Sequence, residues 1–317
     1  MPMLDRALTF ILFVFLTLTA NAQSHSDVRD SYDRGLRRYA SGDFDGAIAD
    51  FTKAIAISSH VDREQRQDRN RKNSLAADEA SGSDRITFID PLIAEVYADR
   101  ALARLRKGDV AGAIADCDRA ILINPGLLRA YNNRAMIRWG NGDLDGAIAD
   151  LNYYLKKNPR DATAYDSRGC IRMDQGDLVA AIVDFDEAIR WKPAEADFYC
   201  NRGQARRNKK DFDGALADLD RAIQLNPELA WAFYCGGTVW YDKRDLKRSV
   251  ADYTRAIELD PKLAVAYLNR GLVRLGLGQE AEAEKDFAES LRLDPKLKPK
   301  LEQSLQSTGT RRAQPRF

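Results

Sequence analysis

Apolar and polar positions repeat along this chain with a period of 34 residues, and seven prolines mark it: Pro91, Pro125, Pro159, Pro193, Pro227, Pro261 and Pro295. A fixed period of this size specifies a stack of identical supersecondary units rather than one globular core. Seventeen residues after Pro91 comes Gly108-Asp109; the pair recurs as Gly142-Asp143 and Gly176-Asp177, then as Lys210-Asp211, Arg244-Asp245 and Gly278-Gln279. Each such turn divides a period into two amphipathic helices of roughly 14 residues. Eleven residues before the turn stands an aromatic: Tyr97, Tyr131, Tyr165, Tyr199, Phe233 or Tyr267. Seven before it stands Ala101, Ala135, Gly169, Gly203, Gly237 or Gly271, and five after it Ala113, Ala147, Ala181, Ala215, Ser249 or Ala283. The small residues let two helices approach closely, and the aromatic fills the gap between neighbouring periods. Each period closes on Asn-Pro, Asp-Pro or Lys-Pro, because the residue before proline is pushed out of the helical region.

With these markers in phase over residues 91–297, the chain resembles the tetratricopeptide repeat family in six contiguous copies. A further copy over 28–59 fits the same template through Tyr32, Gly35, Gly42-Asp43, Ala47, Phe51 and Ala54, with Ser31 in the aromatic's place. Its turn lies 66 residues before Gly108 rather than 68, so an insert must separate the two. Residues 60–90 are that insert; rich in charge, they read as a solvated helix extension followed by a loop through Ser81-Gly82-Ser83. After the last copy, Leu297, Leu301 and Leu305 predict a capping helix over 298–306, and the tail 307–317 is expected to be disordered. The predicted fold is all-α, a right-handed α-solenoid of stacked helix-turn-helix repeats.

The most regular polar feature is an Arg/Asp ladder. Arginines stand eight residues before the turn (Arg34, Arg100, Arg134, Arg168, Arg202, Arg270) and four before it (Arg38, Arg104, Arg138, Arg172, Arg206, Arg274). Aspartates stand eight after it: Asp50, Asp116, Asp150, Asp184, Asp218, Asp252 and Asp286. Buried charges must be paired, so the arginines of each first helix are expected to meet the aspartate of the second. The sixth unit breaks the ladder: Gly236 and Trp240 replace both arginines while Asp252 remains.

The resemblance implies that the first helices line a concave groove that takes a protein or peptide. The positions it turns towards the groove hold Arg129, Asn132 and Trp139 in the third unit and Arg207 in the fifth. In the sixth they hold Trp231, Tyr234 and Tyr241, and in the seventh Leu268, Leu272 and Leu275. Trp, Tyr and Arg are the usual anchors of interfaces, so the sixth and seventh units are expected to carry the main surface. Some family members clamp a C-terminal carboxylate with Lys, Asn and Arg; here Tyr32, Leu36, Asn132 and Met136 stand at clamp-type places, which does not support that activity.

Chemistry is not indicated. The two histidines, His25 and His60, lie apart, and no metal-ligand spacing, nucleophile elbow or phosphate-cradling glycine loop occurs, so no catalytic residue, cofactor or metal is expected. Cys117, Cys170, Cys200 and Cys235 form no C-x-x-C pair; they read as buried thiols, with one bridge among the last three geometrically conceivable. With 49 basic and 48 acidic residues the net charge is +1, so no nucleic-acid partner is expected.

Residues 1–22 read as a cleaved export signal: Arg6, an apolar run from Ala7 to Leu18, and Ala20-Asn21-Ala22 before Gln23. The run is short for a membrane span, so no stable membrane insertion is expected after cleavage. The expected location is periplasmic or secreted. Together these features predict a periplasmic scaffold that binds an extended peptide or partner helix in its groove. The alternative is an accessory subunit of an envelope assembly or export machine that uses its outer surface and insert.

Overall fold

The computed structural model describes residues 24–75 and 91–307. The predicted leader 1–22, the loop through Ser81-Gly82-Ser83 and the tail after residue 307 lie outside them. Among the described residues there is helix and turn but no strand. Two compact units divide the chain, the first ending at Lys157 and the second beginning at Asn158.

The first unit holds α1 (residues 24–40), α2 (Phe44–Leu75), α3 (Pro91–Arg106), α4 (Val110–Ile123), α5 (Leu128–Gly140) and α6 (Leu144–Lys157). The second holds α7 (Ala162–Gln175), α8 (Leu178–Trp191), α9 (Ala196–Asn208), α10 (Phe212–Leu225), α11 (Ala230–Asp242) and α12 (Leu246–Leu259). It continues with α13 (Ala264–Gly276), α14 (Glu280–Leu293), a 3₁₀ turn at Pro295–Leu297 and α15 (Lys298–Ser307). Within each unit, odd and even helices pair as hairpins and the hairpins stack. The predicted markers form the contacts between them. A Cβ on Gly169 would stand 2.7 Å from the Phe185 ring, and one on Gly271 would stand 2.6 Å from the Phe287 ring, so the second helix presses an aromatic onto bare backbone.

The turn between hairpin helices needs a left-handed residue. Gly142 and Gly176 supply it at φ 85° and 88°, but Lys210 and Arg244 are forced to 67° and 66°. A side chain costs roughly 1 kcal/mol or more there, partly offset by the lower unfolded-state entropy of a non-glycine residue. Lys210→Gly is therefore expected to raise stability by about 0.5 kcal/mol, read by thermal unfolding. A fall would mean that the turn is not strained. After the turn, Asp109, Asp177, Asp211 and Asp245 each accept a hydrogen bond from the backbone N–H three residues on and so cap the second helix.

The ladder forms, and both arginines of a unit bind the same aspartate. Arg202 donates through Nε and Nη2 to Asp218 at 3.0 and 2.6 Å, while Arg206 Nη1 lies 2.9 Å from the same carboxylate. Arg100 with Arg104 on Asp116, Arg168 with Arg172 on Asp184, and Arg270 with Arg274 on Asp286 repeat this arrangement. The remaining Nη1 of the first arginine reaches the preceding second helix: Arg202 meets Asp186 at 2.6 Å and Arg270 meets Thr254 at 3.1 Å. The rungs at Arg202 and Arg270 thus tie a hairpin together and also tie it to its neighbour.

The insert leaves the stacking of the first two hairpins intact. Phe51, Ala54 and Ile55 of α2 share a buried cluster with Ile93 and Val96 of α3, and Arg100 reaches Thr52 at 2.9 Å. The first half of the insert continues α2 as helix through Leu75, and Pro91 opens α3 rather than sitting in a turn. Its missing N–H costs nothing at the first helical position.

Candidate functional site

In the second unit the first helices form one wall. α7 touches α9, α9 touches α11 and α11 touches α13, whereas successive second helices make at most marginal contact. The inner wall of this unit is therefore built from odd-numbered helices.

On that wall, α11 presents Trp231 and Tyr234, which lie one helical turn apart and stack with ring centroids 4.7 Å apart. Trp231 is 43% exposed and Tyr241, near the end of the same helix, 39%. Tyr234 is held more firmly. Its hydroxyl accepts from Asn269 at 3.1 Å and its ring meets buried Tyr253 at 5.8 Å; burial pushes its pKa up. Tyr234 is thus a fixed base on which Trp231 lies. Beside them Arg207 of α9 donates to Asp242 of α11 at 2.6 Å. Further along, Asn201 donates to Asp166 at 2.9 Å, and burial, then Asp197 and Glu195, pushes this carboxyl up to about 6. The surface joins an aromatic step to an Arg–Asp pair and an unusually proton-retentive carboxyl.

Leu268 and Leu272 do not extend this surface as expected. Leu268 is 0% exposed and packs with Ala283, Phe287 and Leu301, with Leu272, Leu275 and Leu305 against the same cluster. The cap α15 lies on α13 and covers its apolar face. Spacing places these leucines on the right side of the helix, but it does not show that the stack's end cap consumes that side.

The first unit carries a different arrangement. Arg129 donates to Asp99 at 2.9 and 3.1 Å and to the Glu95 carbonyl at 3.0 Å, while Tyr32 donates to Asp99 at 2.6 Å. Burial, then Asp99, pushes the Tyr32 phenol up. Asn132 and Trp139 lie half-buried on α5 with Arg129. Arg129 is therefore fixed in a network rather than extended towards solvent.

Sequence reasoning missed Asn201, Asn269 and Asp242. The asparagines leave a signal: Asn133, Asn201 and Asn269 recur every second repeat, nine residues before the turn. Each donates across to the preceding first helix, to Ala98 O, Asp166 and Tyr234 respectively.

Among the described residues no group of three or more His, Cys, Asp or Glu could hold a metal, and no helix there is long and apolar enough to cross a membrane. All four cysteines are free, and burial pushes the thiols of Cys117, Cys170 and Cys200 up to about 12, where they stay protonated and unreactive at neutral pH.

The sixth repeat's orphaned ladder residue has a measurable consequence. The nearby Trp240 side chain and Arg248 favour the charged form of Asp252, but burial, then Asp220, pushes its carboxyl up to about 6. An unfolded aspartate titrates near 3.9, so between about 4 and 6 the folded state holds the extra proton and stability falls as pH rises. Asp252→Asn is expected to raise the melting temperature at pH 7 and leave it nearly unchanged at pH 3.5. A lower melting temperature at pH 7 would mean that the charge is stabilising.

Four tetratricopeptide repeat models match the sequence, over residues 113–168, 162–195, 196–229 and 252–285. The chain belongs to the tetratricopeptide repeat family. No curated protein matches it. Among solved structures, a tetratricopeptide repeat protein from Parabacteroides merdae is similar at 16% identity and TM-score 0.69, covering 90% of this chain and 99% of its own. PilF from Pseudomonas aeruginosa is similar at 17% identity and TM-score 0.54, over 68% of this chain and 97% of its own. MamA is similar at 28% identity with TM-score 0.44, over 52% and 96%. The first two likenesses are to the fold, an all-α stack of helix hairpins.

Proposed function

We propose that this protein is a non-catalytic scaffold that binds an extended peptide or partner helix on the inner wall of its second unit, centred on Trp231, Tyr234 and Tyr241. The observation that carries the reading is the stacked Trp231–Tyr234 pair, with Trp231 43% exposed on a base fixed by Asn269. Two large apolar rings held in one orientation lose little entropy on binding, which suits an anchor. Arg207 and Asp242 beside them offer both charge signs and set register along a ligand. Peptides selected from a displayed random library on the wild type are expected to lose binding to the Trp231→Ala/Tyr234→Ala variant. They are expected to keep it for Val183→Ser, which removes an exposed apolar side chain from a second helix. The opposite pattern would move the site to the outer face.

The scaffold is proposed to work outside the cytoplasm, in the periplasm or beyond, on the strength of the leader-like residues 1–22. Intact mass of the protein recovered from cells is expected to correspond to a chain starting at Gln23. A mass that includes residues 1–22 would instead support an uncleaved anchor.

A further inference from the structure

The ladder defines, repeat by repeat, what its acidic positions hold. In the fifth repeat the Arg202 guanidinium donates three hydrogen bonds to two carboxylates, Asp218 of its own hairpin and Asp186 of the preceding second helix, and its Cζ lies 5.6 Å from the Tyr199 ring centroid. In the third repeat Arg134, Asp150, Asp118 and Tyr131 reproduce that cradle. In the sixth repeat the corresponding positions are Gly236, Asp252, Asp220 and Phe233. The two carboxylates and the ring are present, and the arginine is missing.

We propose that this vacated rung, bounded by Asp252, Asp220 and the Phe233 ring, is a binding site for a guanidinium group carried by another molecule. It is more than a cluster of acids, because equivalent positions elsewhere in the same chain hold that very group. The site is also reachable. Asp220 is exposed, and Asp252 is half-exposed, whereas Asp116, Asp150, Asp184, Asp218 and Asp286 at the same position are buried. Asp252 leans into the space of the absent arginine stem, its Oδ2 only 2.6 Å from where a Cβ on Gly236 would stand. The chain's own cations are engaged elsewhere: Arg248 lies over the Trp240 ring at 4.6 Å with its Nε 3.4 Å from Asp245, and Arg255 pairs with Glu258 at 3.0 Å while reaching the Phe233 ring only at 6.0 Å. Neither Asp252 nor Asp220 forms an ion pair among the described residues. A bidentate carboxylate, a second acceptor and an aromatic face together favour a planar fork over the point charge of an ammonium.

The guanidinium could be the arginine side chain of a partner chain or a small solute, and the test separates them. Protein labelled with ¹⁵N at tryptophan is titrated with N-acetyl-arginine amide, N-acetyl-lysine amide and free arginine. The indole N–H of Trp240, whose side chain lies close enough to act on the Asp252 carboxyl, reports the site. Its resonance is expected to shift saturably with the arginine amide, and binding of the lysine amide is expected to be weaker by about tenfold or more. Asp252→Asn is expected to weaken arginine-amide binding by about tenfold or more. Gly236→Arg fills the rung from within; it is expected to abolish binding and raise the melting temperature. Should that variant not fold, Asp220→Asn with Asp252→Asn serves in its place and is expected to abolish binding. Tighter binding of the amide than of free arginine assigns the site to a partner chain, and the reverse assigns it to a solute; either supports it. An unmoved indole resonance, equal response to arginine and lysine amides, or undiminished binding to Asp252→Asn overturns the proposal.

Discussion

Replacing Asp218 by alanine is expected to lower stability by about 3 kcal/mol, the lower end of the cost of breaking a buried ion pair. Asp218 is 3% exposed and answers two arginines at once, Arg202 through two hydrogen bonds and Arg206 through a third contact at 2.9 Å. Its removal leaves both guanidinium groups largely buried with one carboxylate fewer. The loss stays below the upper end because Asp186 still holds Arg202 Nη1 and because both arginines keep some contact with water. Asp252→Ala, at the same position one repeat later, is expected to cost far less, since no arginine depends on it. Thermal or denaturant unfolding of the two variants side by side checks this. Equal losses would mean that the rungs do not act through their arginines, and an unchanged Asp218→Ala melt would mean that the pair contributes nothing.

The architecture was almost fully legible, because a repeat states its rules several times over. The turn residues, small residues, aromatics and arginines stand at fixed offsets, and each offset has one physical job. Even the failures of the pattern were informative: the missing arginines at Gly236 and Trp240 mark where Asp252 loses its partners and its carboxyl rises. The surface was less legible. Trp231 and Tyr241 are exposed on one first helix, as helical spacing implies, but the same spacing also nominated Leu268, which the cap buries. Spacing gives the face of a helix; it does not say what else lies on that face. Asn269 under Tyr234 and Asp242 beside Arg207 were missed for a related reason: each acts across two repeats, and reading one repeat at a time does not reveal such pairs.

Loss of the aromatic step is the other large expected effect. Truncating Trp231 and Tyr234 together removes the exposed ring and the base on which it lies, and one anchor aromatic alone contributes roughly 2 kcal/mol or more to an interface. Affinity for a peptide ligand is therefore expected to fall by about thirtyfold or more. Folding is expected to survive, because Trp231 is already 43% exposed and Tyr253, Leu219 and Val239 keep the surrounding core buried. The most direct measurement is a calorimetric titration of one library-selected peptide into the wild type and into Trp231→Ala/Tyr234→Ala, with helical content compared by circular dichroism. The account predicts matching spectra and a dissociation constant raised by about thirtyfold or more. Equal dissociation constants with matching spectra would contradict it and place the binding surface elsewhere on the protein.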